Sequence, residues 1–534
     1  MQSRCMFRVA IGLVSILLIA AILPYWWLSI NTQFRLIDDY TDWMMMNSNI
    51  PKLFWSYLSY FGEGRYRVVH DLGQIFCWRS FGTCYQLHHL FRLLVKVATF
   101  CFIYATALSV IGNIRGKSPA VTIEAKLALF VYAFALYFYF PNNPEARLAP
   151  VELSTGVAFT AFVYCISANF SNKRLRTIFL FLSFAAFLHS KEPNVVSAPL
   201  LIIWFAMAEY SGSLKTMALH LIPYCLLYAH CFLKVVFASQ GGYGTSEITR
   251  ESLLHNLRQI PTAVFRTDAS WLIAIIMATP VLVLSAYLIH RVVAENRNPR
   301  TLAHFSLSPL VVTMALLLIT NASLLLSYCM GYGFSLRYTY PLAVGVLLAN
   351  IIGIAIVIAL IPEGRQKVAL PVQVALILIG CYYAAANYFP MAVPFMMQYA
   401  FAESENRALK GLEGIMEQEG FRGSAGILVN DEYDSKIACY FTEYLPEFFN
   451  KRLPFISINN DKVTPLPPVE YQLLRVPAKA GYQAIASYDP RLTLDPVYER
   501  SYDISKFVLQ KEVPTIIDAG AGGTLSWYIL QRER

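Results

Sequence analysis

The feature that most limits what this chain can fold into is a succession of long apolar runs with few charges inside them. They lie near 9–30, 93–113, 125–141, 151–169, 176–190, 194–209, 217–238, 270–290, 305–330, 339–361 and 369–389. A bilayer core of about 30 Å needs roughly 20 apolar residues per helix, or about 17 where neighbouring loops dip inward. The runs therefore predict about eleven transmembrane helices. Composition closes the soluble alternative. Of 534 residues, 56% are hydrophobic and 14% charged, against roughly 25% charged in soluble domains, and mean hydropathy is +0.47. An aromatic content of 14% and aperiodic Gly and Pro exclude disordered and collagen-like chains. The first run is long and lacks a small-residue cleavage site, so it reads as a retained helix and not a signal peptide.

Short loops rich in Lys and Arg stay in the cytoplasm, and this sets the orientation. With the N-terminus inside, the inner loops carry Arg4 and Arg8, then Arg115, Lys117 and Lys126, then Lys173, Arg174 and Arg176. Arg291, Arg297, Arg300, Arg365 and Lys367 follow on the same side. The net charge of +9 belongs to these loops and implies no nucleic-acid partner. The outer segments are then 31–88, 141–152, 189–194, 239–268, 331–338 and everything beyond about 390. Ten cysteines are scattered without CxxC spacing. Cys77 and Cys84 are the one pair in an outer loop, close enough for a bridge, although free thiols are the preferred reading.

Polar motifs gather on the outer face. Leu36-Ile37-Asp38-Asp39-Tyr40 follows the first run, and two carboxylates at a membrane edge are costly to dehydrate without a task or a cation. A helix cap is the plainer explanation of that pair. Gly62-Glu63-Gly64-Arg65-Tyr66-Arg67 sets two arginines in a glycine-flanked turn, and arginine suits bidentate contact with phosphate or carboxylate. Between them the aromatic-rich 52–61 suits a helix lying in the interface. Asn143-Pro144-Glu145-Ala146-Arg147 and Glu152 precede the fourth run. His189-Ser190-Lys191-Glu192-Pro193 separates the fifth and sixth, and Arg337-Tyr338-Thr339-Tyr340-Pro341 opens the tenth. Each motif alone fits a snorkelling anchor. Their clustering on one face does not.

In order and sidedness these motifs resemble the multi-spanning glycosyltransferases of the GT-C superfamily. The similarity covers about 1–390 and points to the enzymes that use polyprenyl-phosphate sugars in bacterial envelopes. One departure is Val68, where many relatives carry proline after the arginine turn. The resemblance implies a GT-C-like catalytic domain over 1–390 in a bacterial inner membrane, with its active site facing the periplasm. It implies a polyprenyl-phosphate-linked sugar as donor, a glycan, lipid or protein hydroxyl as acceptor, and inversion at the anomeric carbon. A carboxylate opening the first outer loop serves such enzymes as general base, which maps onto Asp38 or Asp39, with Asp38 slightly preferred. A carboxylate so placed removes the acceptor's proton during attack. The leaving phosphate gains charge as its bond breaks, and Lys191 and Arg337, helped by Arg65 or Arg67, would stabilise it. Tyr40, Glu145, Arg147, Glu152, Glu192 and Tyr338 fall into supporting positions. No cofactor is implied for certain. Asp38, Asp39, Glu145 and Glu152 have the oxygen chemistry for a divalent cation, although paired cations can replace a metal. His88, His89 and His189 are weak ligand candidates, because adjacent histidines on a helix point apart.

The tail from 391 changes character. A charged helical stretch, Glu403 to Glu419, precedes short apolar runs separated by turn signals such as Pro465-Leu466-Pro467-Pro468. A small extracytoplasmic α/β domain is expected over 391–534. Two other activities compete with the transferase. A polysaccharide ligase or polymerase would also use outer-loop arginines. A lipid or solute transporter would show mid-span carboxylates or two related halves, and neither is visible.

Overall fold

The computed structural model of the chain describes residues 2–31, 51, 67–82, 84–115, 122–140, 151–168, 170–209, 214–238, 340–361 and 366–418. In the tail it describes 425–429, 471–477, 491–495, 500–503, 507–518 and 524–532. The runs at 270–290 and 305–330 lie outside these residues. The described helices are α1 (Gln2–Asn31), α2 (Val68–Phe81), α3 (Tyr85–Arg115), α4 (Ile123–Phe138) and α5 (Val151–Ser167). They continue as α6 (Lys173–Leu188), α7 (Asn194–Glu209), α8 (Leu214–Ala238), α9 (Tyr340–Leu360) and α10 (Gln366–Gln418).

Four of these, over Tyr85–Ile114, Met217–Val235, Ala343–Leu360 and Ala369–Ala392, are long and apolar enough to cross a membrane. Shorter apolar stretches lie in α1, α5 and α7. The outward faces are apolar as well. On α6, Leu175, Ile178, Phe179 and Leu182 are exposed, and on α8 Leu219, Ile222 and Leu226. Both stripes follow helical spacing, which in water would be an aggregation surface and in lipid is a solvated face. The chain is a helical membrane protein.

Helices α3 and α9 pack on each other and both pack on α4 and on α5, with α1 and α10 against α4 and with α6, α7 and α8 alongside. Tyrosines of α4 clamp this core. Tyr132 Oη donates to Asn350 Oδ1 at 2.7 Å, Tyr137 Oη pairs with Tyr340 Oη at 2.7 Å, and Tyr139 Oη donates to the Leu17 carbonyl at 2.8 Å. Polar side chains inside a bilayer find partners across helices, each bond contributing about 0.6 kcal/mol. Loop residues set the starts. Thr122 caps α4 by accepting the Ala125 amide, and Asn172 caps α6 by accepting the Leu175 amide.

Gly380 brings α10 onto α4. A Cβ there would meet Tyr132 Cα at 3.2 Å and the Val131 carbonyl oxygen at 3.3 Å, both backbone atoms that cannot swing aside. Small residues permit such close approach between membrane helices. Gly380→Ala is expected to cost about 1–3 kcal/mol through overpacking. The check is thermal unfolding in mild detergent, and an unchanged midpoint would show that the two helices separate freely.

Two helices extend past the apolar runs. Within the segment 31–88, Val68–Phe81 is helical and α3 starts at Tyr85. Charges at Asp71, Arg79 and Arg92 lower hydropathy without interrupting backbone hydrogen bonding, so the helices outlast the apolar signal. The break comes at Gly82, whose φ of 53° favours glycine. Helix α10 is continuous for 53 residues and passes through position 390, so at 1.5 Å per residue it spans about 80 Å.

The far end of α10 buries Ala408, Leu409, Leu412 and Met416 and packs against strands β5 and β6. The described strands are β1 (Ala425–Val429), β2 (Tyr471–Pro477), β3 (Arg491–Asp495), β4 (Arg500–Asp503), β5 (Phe507–Asp518) and β6 (Thr524–Arg532). One sheet has the order β1-β2-β6-β5, with β1 and β2 parallel and the other neighbours antiparallel. Strands β3 and β4 form a separate antiparallel pair.

Candidate functional site

The described part of the site is built where the start of α2 meets the turn between α6 and α7. Helix α6 ends at His189, and Pro193 stands just before α7, where a missing amide costs nothing. Within the turn the Asn194 amide donates to the Lys191 carbonyl at 3.1 Å, and the Val195 amide to the Glu192 carbonyl at 3.2 Å. Asn194 Nδ2 donates to the Phe187 carbonyl at 2.7 Å and to Thr155 Oγ1 of α5 at 3.3 Å. Ser190 Oγ reaches back to the Ala186 carbonyl. The turn is rigid by construction.

Two contacts dock the start of α2 on this turn. The Val69 amide donates to the His189 carbonyl at 3.2 Å. Arg67 Nε donates to both carboxylate oxygens of Glu192, at 3.3 and 3.4 Å, and the two side chains are only 12% and 17% exposed. Lys191, between Glu192 and His189, has no exposed surface, and Ser190, Asn194, Ser197 and Thr155 are equally buried. Asp71, Ile75 and Trp78 face inward from α2, while Leu72 and Phe76 face out. Helix α2 is therefore a short amphipathic helix that carries a buried carboxylate toward the bundle.

A second buried cation lies on α3. Lys96 is fully buried, with its ammonium 5.2 Å from the Phe138 ring centre and 5.7 Å from that of Tyr137. Aromatic faces partly replace the water such a cation gives up. Tyr137 in turn holds Tyr340, the first residue of α9, so Lys96 connects through one hydroxyl pair to the helix that Arg337-Tyr338 precede. The histidines of α3 point apart, as adjacent helical positions require. His88 Nε2 contacts the Gly82 carbonyl oxygen at 3.0 Å, and His89 contacts Arg92.

The His189 ring lies 3.5 Å from Cys231 Sγ, so the end of α6 also touches α8.

Of the residues expected to form the site, Arg67, Lys191 and Glu192 are brought together here. Arg67 turns to Glu192, which ties the residue before α2 to the turn between α6 and α7. Glu152 lies in the first turn of α5, three positions before Thr155. Asp38, Asp39, Tyr40, Arg65, Glu145, Arg147, Arg337 and Tyr338 lie outside the described residues. Sequence reasoning missed Asp71, Thr155, Asn194 and Tyr137. Asp71 alone left a signal, as a carboxylate at i of an i, i+4, i+7 inward stripe with Ile75 and Trp78. Among the described residues no three His, Cys, Asp or Glu side chains are grouped to hold a metal ion. Cys77 and Cys84 are free thiols, the first buried and the second exposed. Compared with protein-family models, with curated proteins and with solved structures, the chain finds no match.

Proposed function

We propose that the chain is a GT-C-like glycosyltransferase of about eleven spans that moves a sugar from a polyprenyl-phosphate donor to a hydroxyl acceptor outside the cytoplasm. The observation that carries the reading is Lys191. Ionisable residues inside a membrane protein mark functional sites by default, and Lys191 is fully buried at a helix-helix turn. The neighbouring ion pair of Arg67 and Glu192 holds the first outer loop against that turn, and the loop is where the resemblance locates the base. Lys191 and Arg337 take the donor phosphate, Asp38 or Asp39 takes the acceptor proton, and the leaving group departs as a lipid phosphate into the bilayer. The segment 391–534 acts in this reading as an extracytoplasmic α/β domain that positions the acceptor.

The test uses the full chain in proteoliposomes with a radiolabelled polyprenyl-phosphate sugar. Binding of that donor, lost in Lys191→Met and retained by Lys173→Gln on the opposite side, is the expected result. Sidedness is checked independently by cysteine labelling. Positions in 31–88 and 400–534 should react from outside and those in 290–304 from inside. A cytoplasmic tail would sink the catalytic reading together with the topology.

A further inference from the structure

Helix α2 folds back along α3 as one arm of a hairpin that turns at Gly82. Ring contacts step away from the turn along both arms. Phe81 and Trp78 meet His88, with centroids 5.5 and 4.6 Å apart, and Phe76 meets Phe91 at 6.1 Å. The arms are therefore antiparallel, and the start of α2 lies beside the part of α3 beyond Phe91. Helix α3 holds the membrane-length segment Tyr85–Ile114. Helix α2 has 14 residues. At 1.5 Å per residue it measures about 21 Å, too short to cross a core of about 30 Å.

The side of α2 turned away from the bundle is apolar over most of its length. Leu72 is 40% and Phe76 54% exposed, whereas the charged Asp71 is buried. A helix lying in water shows the reverse order. The exposed polar residues Arg79 and Ser80 stand in the last turn, close to the tip of the hairpin. On α3, Leu87, Leu90, Leu94 and Val97 are exposed, at the spacing of a single helical stripe. Phe91 shares the face of Leu87 and Leu94, and its ring is the one that Phe76 touches. Leu72 and Phe76 thus widen the α3 stripe and are no separate patch. At the start of α2 the Val69 amide donates to the His189 carbonyl at 3.2 Å, and the Asp71 amide to the Arg67 carbonyl at 2.9 Å. These two first-turn amides are satisfied within the protein, as contact with lipid requires.

We infer that this face of the hairpin docks in the bilayer, with Leu72 and Phe76 against lipid acyl chains beside Leu87, Leu90 and Leu94. Arg79 and Ser80 then stand at headgroup level. Continuity decides the occupant: the stripe that Phe76 joins belongs to a segment long and apolar enough to cross a membrane, and lipid covers that stripe. Helix α2 enters lipid without spanning it and is held there by its buried apolar area. The lipid thereby keeps the start of α2 on the α6–α7 turn, and with it the pairing of Arg67 with Glu192. The inference rests on the membrane fold and not on sugar transfer.

The experiment places benzoylphenylalanine singly at 72, 76, 90, 94 or 410 of the full chain in phosphatidylcholine vesicles. After illumination, mass spectrometry identifies the adducts. Positions 72 and 76 should form lipid adducts as readily as 90 and 94. Lys410 is exposed and lies beyond the span Ala369–Ala392. Yields at 72 and 76 should exceed that at 410 by about tenfold, since an interfacial helix sinks about 5–10 Å into the acyl boundary. Lipid adducts no more frequent than at 410 would show the face in water, and protein adducts would show a second copy or another segment over it. Either result overturns the proposal. A second readout uses Leu72→Glu, which on a face open to water changes stability little. In lipid a carboxylate is costly, so amide exchange at Val69 should speed up by about tenfold, while Leu72→Met leaves it unchanged. Equal exchange in the wild type and both variants also overturns the proposal. Should the variant at 76 fail to fold, judged by thermal unfolding, the two readouts at 72 decide.

Discussion

Replacing Asp38 by Asn is expected to lower sugar transfer by roughly 10²–10⁴ while leaving donor binding intact. Asn keeps the size and hydrogen-bonding shape of the side chain but cannot take a proton. The acceptor hydroxyl is a weak nucleophile, so losing the base raises the barrier of the attack step alone. Asp38 and Asp39 are neighbours, and if the loop is extended there they face opposite ways and only one can reach the acceptor. Asp38 follows Leu36-Ile37 and Asp39 precedes Tyr40, whose ring can anchor at the interface. Asp39→Asn is therefore expected to have the smaller effect, through the orientation of its neighbour. Arg337→Ala should behave in the opposite manner and impair donor binding together with turnover, because the phosphate is present before and after the attack. Initial rates and donor affinity, measured on the same proteoliposome preparations, separate these cases. Full-rate transfer by both correctly inserted aspartate variants would end the proposed mechanism.

Glu192→Ala should loosen the first outer loop by about 3 kcal/mol, because it leaves the Arg67 guanidinium in a site that is mostly buried. The pair itself need not be strongly stabilising. Its two charges gave up most of their water to meet, and replacing both by apolar groups often costs little. The expected signature is thus non-additive: Glu192→Ala and Arg67→Ala each destabilise, and the double variant Arg67→Met/Glu192→Leu recovers most of the loss. Protease accessibility of the loop before Val69 and the thermal midpoint read the same cycle by two routes. Transfer activity should fall in the single variants and return only in part in the double one, because Arg67 also contributes positive charge beside Lys191. Additive effects would mean that the Val69–His189 backbone bond docks the loop without help from the side chains.

Much of the helical architecture was legible without coordinates. The runs at 194–209 and 339–361 match α7 and α9 to within a residue at each end, because apolar residues spaced for a bilayer also make helices. The run at 369–389 agrees with the membrane-length segment Ala369–Ala392, whereas the limit at 93 fell short of the helix start for one reason: hydropathy reports the membrane, whereas a helix continues as long as its backbone bonds do. Thus α3 begins at Tyr85, before two histidines and an arginine, and α10 runs on to Gln418 through a charged segment.

The sequence by itself determined that this chain is a helical membrane protein. That follows from local pattern, since hydrophobic length acts on each segment separately. Only the tertiary structure decided that Arg67 belongs to Glu192, 125 positions away, and that Lys96 lies against Tyr137 and Phe138. It alone revealed that Asn194 holds the turn to Thr155 and that Asp71 faces inward. Each of these depends on which helices become neighbours. That choice comes from the packing of whole faces, such as Gly380 on Tyr132, and a buried charge is tolerable only where that packing delivers its partner.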